Sequence, residues 1–243
     1  MPENKILRLR MVAGPNGSGK SSFINDLKNE VKLGYYINAD EIESSLLKHK
    51  FIDFNNYGLN ISSKNFTDSL SKNSELIEKS STKIRKTIRV ENNLLVTKNV
   101  DSYLSAFIAD FIREKMIQKK NSFTFETVMS HISKVNFLKK AKDKNYRCYL
   151  YYICTDDYSI NLNRINNRVE KGGHNVDENK TRERYFRSLE YLHNAIQNSD
   201  RAFIFDNSKE NIQIAEVTNG TELVLKVDIP PVWFTQYVLK YFK

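Results

Sequence analysis

The segment Gly14–Ser21 constrains this chain more than any other part of the sequence. It reads GPNGSGKS and matches the P-loop pattern G-x-x-x-x-G-K-[ST] at every fixed position. Such a loop cradles phosphate with backbone N–H groups, and glycine permits the tight turn without a Cβ clash. A glycine-rich turn could match by chance, but three of the eight glycines in the chain lie here. Residues 6–13 are typical of a strand and residues 22–27 of a helix start, so the sequence predicts a nucleotide-binding strand–loop–helix unit.

The motif assigns an expected role to each of its parts. Lys20 would reach the β- and γ-phosphates as a point charge, and the Ser21 hydroxyl would hold Mg²⁺. The helix that follows would present its positive end to the anion. The predicted nucleotide-binding residues are Gly14, Pro15, Asn16, Gly17, Ser18, Gly19, Lys20, Ser21 and Ser22.

Length, composition and cysteine usage predict a cytoplasmic protein with a sizeable core. Its 243 residues predict one large domain or one domain with an insertion, and 40% hydrophobic residues are enough for a sizeable core. No stretch approaches the roughly 20 apolar residues of a membrane span, and the polar start lacks the apolar region of a signal peptide. Cys148 and Cys154 fall on one face of a predicted strand, too far apart to bond, so we interpret them as reduced core thiols.

The net charge of +9 raises the question of nucleic-acid binding. The alternative is that a protein handling polyanionic nucleotides carries excess Lys and Arg. The densest basic run, residues 134–147, lacks the interleaved aromatics of a base-stacking platform and is typical of a solvated helix face. We therefore favour a protein without a nucleic-acid partner.

Strand and helix patterns alternate along most of the chain. Strands are predicted at 122–127, 146–155 and 201–207, and the clearest helix at 102–119. This alternation predicts an α/β fold with a parallel sheet flanked by helices. An Asn219–Gly220 turn between apolar runs adds a C-terminal β-hairpin.

Residues 51–100 break this alternation. They are rich in Asn, Ser and Lys, with short helices predicted at 64–70 and 74–79 and a hairpin turning at Asn92–Asn93. We interpret them as an inserted helical subdomain, with residues 1–50 and 101–243 forming the core.

Two acids follow predicted strands, where ligands bind in open α/β sheets. Asp40 follows a short aromatic strand and is either a general base or the N-cap of the next helix. Glu126 ends the strand at 122–127 and would orient substrate hydroxyls or a Mg²⁺-bound water, or else simply face solvent. The residues alone leave both choices open.

Arginines cluster between the last two predicted sheet strands. Arg164 and Arg168 are one helical turn apart, Gly172-Gly173-His174 follows, and a second helix carries more arginines. We favour a movable lid near 160–190 that brings guanidinium groups onto a transferring phosphate. The alternative is a pair of exposed helices joined by a helix-terminating glycine. The arginines of the second helix are Arg182, Arg184 and Arg187.

Six blocks of the sequence together resemble the zeta-toxin-like P-loop kinases, in particular the bacterial branch of predicted ABC-type ATPases or kinases. The ordered set, and the Gly-Gly-His block above all, is more specific than the P-loop alone. The blocks are residues 13–21, 38–41, 125–127, 168–174, 184–189 and 205–207.

The resemblance implies a P-loop kinase-type fold and phosphoryl transfer from ATP with Mg²⁺. It implies an acceptor hydroxyl on a small nucleotide-linked molecule such as UDP-N-acetylglucosamine, and a toxin that is held by an antitoxin protein. By motif position, Asp40 matches the catalytic base, while Glu126 and Thr127 match the acceptor site. The matching catalytic set is Lys20, Asp40, Arg168, Arg184 and Arg187.

Two other functions remain as alternatives at this point. One is an ATPase or polynucleotide-directed P-loop enzyme, which predicts steeply salt-dependent nucleic-acid binding. The other is a nucleotide-gated binding protein, which predicts ATP binding without phosphorylation of an acceptor.

Overall fold

A computed structural model describes residues 6–72, 87–170 and 177–242 of the chain. The chain divides into two compact units. The first unit contains Met1–Gly34 and Thr124–Lys243, and the second contains Tyr35–Phe123.

Both units contain strands and helices. The strands are β1 Arg8–Ala13, β2 Tyr35–Ile37, β3 Phe51–Asp53, β4 Arg89–Glu91, β5 Leu94–Val96, β6 Phe123–Thr127, β7 Arg147–Cys154, β8 Arg201–Asp206, β9 Ile212–Thr218 and β10 Glu222–Leu225. The α-helices are α1 Lys20–Glu30, α2 Ala39–His49, α3 Ser63–Lys72, α4 Ser102–Gln118, α5 Ser133–Asp143, α6 Tyr158–Glu170, α7 Glu178–Glu190, α8 Leu192–Gln197 and α9 Val232–Tyr237. Short 3₁₀ helices lie at Phe54–Tyr57 and Leu239–Tyr241. Within the described part of the chain, every helix is too short or too polar to cross a membrane.

The sheet of the first unit runs in the order β10-β9-β8-β7-β1-β6. Strand β7 is parallel to both β1 and β8, and it is almost wholly buried after Arg147, as expected of a central parallel strand. Strands β9 and β10 continue the sheet antiparallel, and their turn contains Asn219 and Gly220 with φ of 53° and 76°. The predicted α/β fold with a mainly parallel sheet and a C-terminal hairpin is therefore confirmed.

Aromatic packing fixes the helix that follows the P-loop onto this sheet. Phe23 of α1 is buried, and its ring centroid lies 4.7 Å from that of Phe205 on β8 and 5.7 Å from that of Tyr151 on β7. Tilted aromatic pairs at such distances stabilise beyond the area they bury. The N-terminus of α1 is thus held at the carboxyl end of β1.

The second unit combines helices with a small antiparallel sheet in the order β3-β5-β4. Asn92 and Asn93 have positive φ in the β4–β5 turn, which confirms the hairpin predicted there. Helices α3 and α4 confirm the helices predicted near 64–70 and 102–119, whereas the helix predicted at 74–79 lies outside the described residues. The core of the unit is an aromatic cluster of Phe54, Phe66, Phe107 and Phe111. The predicted subdomain 51–100 falls inside this unit, and its separate role stays a prediction.

Both cysteines of β7 are buried free thiols. Burial raises the pKa of Cys148 and of Cys154 to about 12, because a thiolate is poorly solvated inside the sheet. Since only the thiolate reacts, we expect both to react with a disulfide reagent at pH 8 more than about a thousandfold slower than a free cysteine. A thiol titration should detect two groups in guanidinium chloride and none in the folded protein. Fast reaction of either thiol in the folded protein would contradict the burial of β7.

Candidate active site

The P-loop is the turn between β1 and α1, and neighbouring strands shape it closely. The Gly14 N–H donates a hydrogen bond to the Thr127 carbonyl at the end of β6, at 3.3 Å. Gly14 has φ of 147°, and a Cβ at this position would overlap the carbonyl oxygen of Ile153 on β7. Only glycine fits between these two strand ends.

Lys20 is the first residue of α1, and its side chain folds back across the loop. Its Nζ donates to the Pro15 carbonyl at 2.9 Å and lies 3.9 Å from Oε1 of Glu126. The side chains of Lys20 and Glu126 are only 7% and 9% exposed. The loop therefore holds a nearly buried ammonium group, which is the kind of group that binds a transferring phosphate.

Glu126 also contacts the other functional side chain of the motif. The hydroxyl of the exposed Ser21 donates a hydrogen bond to Oε2 of Glu126 at 3.5 Å. The alternative of a solvent-facing strand end is therefore wrong for Glu126. Thr127 supports the loop through its carbonyl, while its hydroxyl accepts the Met129 N–H at 3.2 Å.

The Ser21–Glu126 pair suits Mg²⁺. A hydroxyl and a carboxylate are hard oxygen donors, and protein-bound Mg²⁺ commonly takes one or two such ligands and completes its shell with phosphate and water. The described residues contain no group of three or more His, Cys, Asp and Glu placed to hold a metal on their own.

Asp40 lies in the second unit, in the first turn of α2. The N-cap of α2 is Asn38, whose side-chain oxygen accepts the Asp40 N–H at 2.8 Å. The N-cap alternative for Asp40 is therefore wrong. Asp40 is exposed and its carboxylate is not needed as the cap, which leaves it available for chemistry.

The predicted lid arginines lie on α6 and α7 of the first unit. Arg168, in the last turn of α6, and Arg184, on α7, are both exposed. Arg187 pairs with Glu183 at 2.7 Å on the helix surface, and Arg182 lies over the Tyr158 ring at 5.5 Å. Arg168 and Arg184 differ from these two, because within the described ranges neither makes an ion pair with a carboxylate or lies over an aromatic ring. Gly172 and Gly173, which belong to the predicted lid, lie outside the described residues.

Asn207, directly after β8, contacts the P-loop, which was not predicted from the sequence. Its Nδ2 donates to the Ser18 carbonyl in the P-loop at 2.8 Å. Asn207 lies in block 205–207, one of those that resemble the zeta-toxin-like kinases, but no role was predicted for it. A polar residue at the carboxyl end of a predicted sheet strand was the available signal.

This chain is similar in sequence to one known protein and in fold to solved structures, two of which are described here. An uncharacterised protein of Haemophilus influenzae is 35% identical over 69 residues, which is 28% of this chain and 49% of that protein. The structure of AvrRxo1-ORF1 with AvrRxo1-ORF2 and ATP covers 92% of this chain at 13% identity, with a TM-score of 0.54. The PezAT toxin–antitoxin structure from Streptococcus pneumoniae covers 86% at 13% identity, with a TM-score of 0.50.

These similarities differ in what they cover. The chain spans about half the length of the Haemophilus protein, 62% of the AvrRxo1 chain and 72% of the PezAT chain. At these identities the two structures establish a shared fold. The model of the family described as Zeta toxin matches residues 96–218, just over half of the chain, including Glu126, Arg168 and Asn207. The chain therefore belongs to the zeta toxin family.

Proposed function

We propose that this protein is a kinase that transfers the γ-phosphoryl group of ATP to a hydroxyl of a small acceptor. The observation that carries this proposal is the convergence of Lys20, Ser21 and Glu126 at the P-loop, where a cation and a hydroxyl each lie within 4 Å of the same carboxylate. Phosphoryl transfer needs little covalent help from the protein, so charge neutralisation and positioning by such a group supply the rate.

Lys20 and the P-loop amides bind and orient the phosphates. The Lys20 ammonium exchanges its contact with the Pro15 carbonyl for phosphate oxygens, and because the ammonium is already nearly buried, its attraction to phosphate is less screened by water. Ser21 and Glu126 are the residues that would hold Mg²⁺. When bound, Mg²⁺ neutralises charge on the phosphate oxygens.

Asp40 takes the proton from the acceptor hydroxyl, and Arg168 and Arg184 neutralise charge on the transferring group. Glu126 and Thr127 contribute to the acceptor site, and the acceptor is a nucleotide-linked molecule of the UDP-N-acetylglucosamine type. All of these roles rest on motif position. Those of Asp40, Arg168 and Arg184 are also supported by the exposure of their side chains, and that of Asp40 by the fact that Asn38, not Asp40, caps α2.

We also propose that the kinase is a toxin with an antitoxin protein as its partner. Two observations support this: the chain belongs to the zeta toxin family, and the similar PezAT structure is described as a toxin–antitoxin system. The ATP in the similar AvrRxo1 structure supports ATP as the donor here.

The Asp40→Asn variant is expected to lose about a hundred- to ten-thousandfold in transfer rate, the usual span for general-base catalysis. Its melting temperature should barely change, because Asn38 caps α2 and the Asp40 side chain is exposed. Turnover and thermal melting should be measured on the same samples.

Asn38→Ala is the matched control for Asp40→Asn. It removes the cap, which costs about 1 kcal/mol, and should lower the melting temperature by about 2–4 °C. Its loss of turnover should be smaller than that of Asp40→Asn. An active Asp40→Asn enzyme would rule out Asp40 as the base and would direct attention to Glu126.

The nucleotide half of the proposal is tested by titrating ATP into the protein with and without Mg²⁺. We expect Mg²⁺ to tighten ATP binding in the wild type, and the gain to shrink in Glu126→Gln, since an amide is a weaker ligand for Mg²⁺ than a carboxylate. Equal ATP affinity with and without Mg²⁺ in the wild type would contradict the assignment of Ser21 and Glu126.

A further inference from the structure

Asn207 connects the P-loop to the end of β8. Its Nδ2 donates to the Ser18 carbonyl at 2.8 Å, across 189 residues of sequence. We propose that Asn207 is a positioning residue that fixes the peptide between Ser18 and Gly19 so that its N–H faces the phosphate. This inference rests on the proposed function, because it concerns the same phosphate site.

The planarity of the peptide bond turns this contact into a directional constraint. In a trans peptide, the C=O of one residue and the N–H of the next point in opposite directions. Because Asn207 binds the Ser18 carbonyl, the Gly19 N–H must point away from Asn207. A loop that binds an anion needs its N–H groups turned to one side and its carbonyls to the other.

Close packing of the Asn207 carboxamide against Gly19 further restricts this peptide. Gly19 has φ of 97°, and a Cβ there would overlap the Nδ2 of Asn207. The amide of Asn207 therefore lies directly against the Gly19 backbone and occupies the space that a side chain would fill. Only glycine at position 19 allows the carboxamide to reach Ser18.

Hydrogen bonds fix the backbone of Asn207 and the side chain of the residue before it. Its backbone N–H donates to the Cys154 carbonyl of β7 at 2.7 Å. The preceding Asp206 is buried, and its two oxygens accept the Ser208 N–H and the Trp233 Nε1–H of α9, both at 2.9 Å. A donor supported in this way is already in place before a ligand arrives, which lowers the ordering cost of binding.

Two substitutions separate the donor from the shape of the side chain. Asn207→Asp keeps the shape but replaces the NH₂ donor by a carboxylate oxygen, which repels both the Ser18 carbonyl and a bound phosphate. Asn207→Ala removes the carboxamide, so the Ser18 carbonyl loses the hydrogen bond from Nδ2. Asn211→Ala is the matched control, because Asn211 is an exposed asparagine of the same β8–β9 connection.

The experiment measures ADP affinity, ¹⁵N order parameters of the nucleotide-free 243-residue chain, and melting temperature for these variants. For Asn207→Ala we expect about tenfold weaker ADP binding, the scale of one lost hydrogen-bond partner. Asn207→Asp should bind still more weakly. The order parameters at Ser18 and Gly19 should fall from about 0.85 toward 0.6, while those of β7 and β8 stay unchanged. Asn211→Ala should match the wild type.

Each result bears on the proposal. Unchanged order parameters at Ser18 and Gly19 in both Asn207 variants would overturn it, and so would a loss of order spread evenly over the sheet. Wild-type affinity for ADP in Asn207→Asp would also overturn it. If the wild type itself fails to bind ADP, the proposed kinase function fails, and the order parameters still decide whether Asn207 fixes the loop.

Discussion

Replacing Lys20 with alanine is expected to reduce phosphoryl transfer to background, a loss of at least about a thousandfold. The Nζ of Lys20 is the nearly buried cation within reach of the P-loop carbonyls and Glu126. Without it, the charge that develops on the phosphate oxygens loses its positioned ammonium partner.

The fold should survive this change at a modest cost. Lys20→Ala removes the hydrogen bond to the Pro15 carbonyl and the ammonium that lies 3.9 Å from the Glu126 carboxylate. We expect a loss of about 1–3 kcal/mol, or about 2–4 °C in melting temperature per kcal/mol. Ser21 still donates to Glu126, so part of its environment is kept.

Lys28→Ala is the matched control, since Lys28 is an exposed lysine on the same helix and its Nζ donates to Oδ1 of Asn25 at 3.0 Å, away from the P-loop. Its turnover should equal that of the wild type. Normal turnover in a folded Lys20→Ala variant would refute the P-loop assignment.

Arg168→Ala is expected to reduce turnover by about a thousandfold or more, the scale of a lost arginine finger. Arg168 is exposed at the end of α6, so its removal should cost little stability. ATP affinity should change much less than turnover, because a lid arginine acts mainly on the transition state.

Arg182→Ala tests whether the effect is specific to Arg168. Arg182 is also exposed, but its guanidinium lies over the Tyr158 ring, which suits a structural contact between α7 and α6. Its replacement should change turnover by less than about tenfold. If Arg168→Ala also costs less than about tenfold, Arg168 has no part in the transfer step.

Local patterns predicted most of the architecture. The P-loop between a strand and a helix, the Asn92–Asn93 hairpin and the helix near 102–119 all follow from turn chemistry and periodicity within a few residues. Strand β7 was predictable because a central parallel strand is apolar almost throughout.

The contacts that complete the site were not predictable in this way, since they join distant parts of the sequence. Glu126 reaches Ser21 across 105 residues, and Asn207 reaches Ser18 across 189. The β6–β1–β7–β8 order of the sheet brings these strand ends together, and strand order is not written in any single segment. The cap of α2 was missed for another reason: Asn38 and Asp40 are both good capping residues, two positions apart.

The central claim is that the chain transfers a phosphoryl group to a small acceptor. The most direct measurement is incubation of the full chain with ATP, Mg²⁺ and a panel of metabolites that includes UDP-sugars, followed by mass spectrometry of the products. We predict one acceptor class that gains a phosphoryl group with the wild type and with Lys28→Ala, but not with Lys20→Ala. ATP binding or hydrolysis that leaves every acceptor in the panel unmodified would contradict the claim.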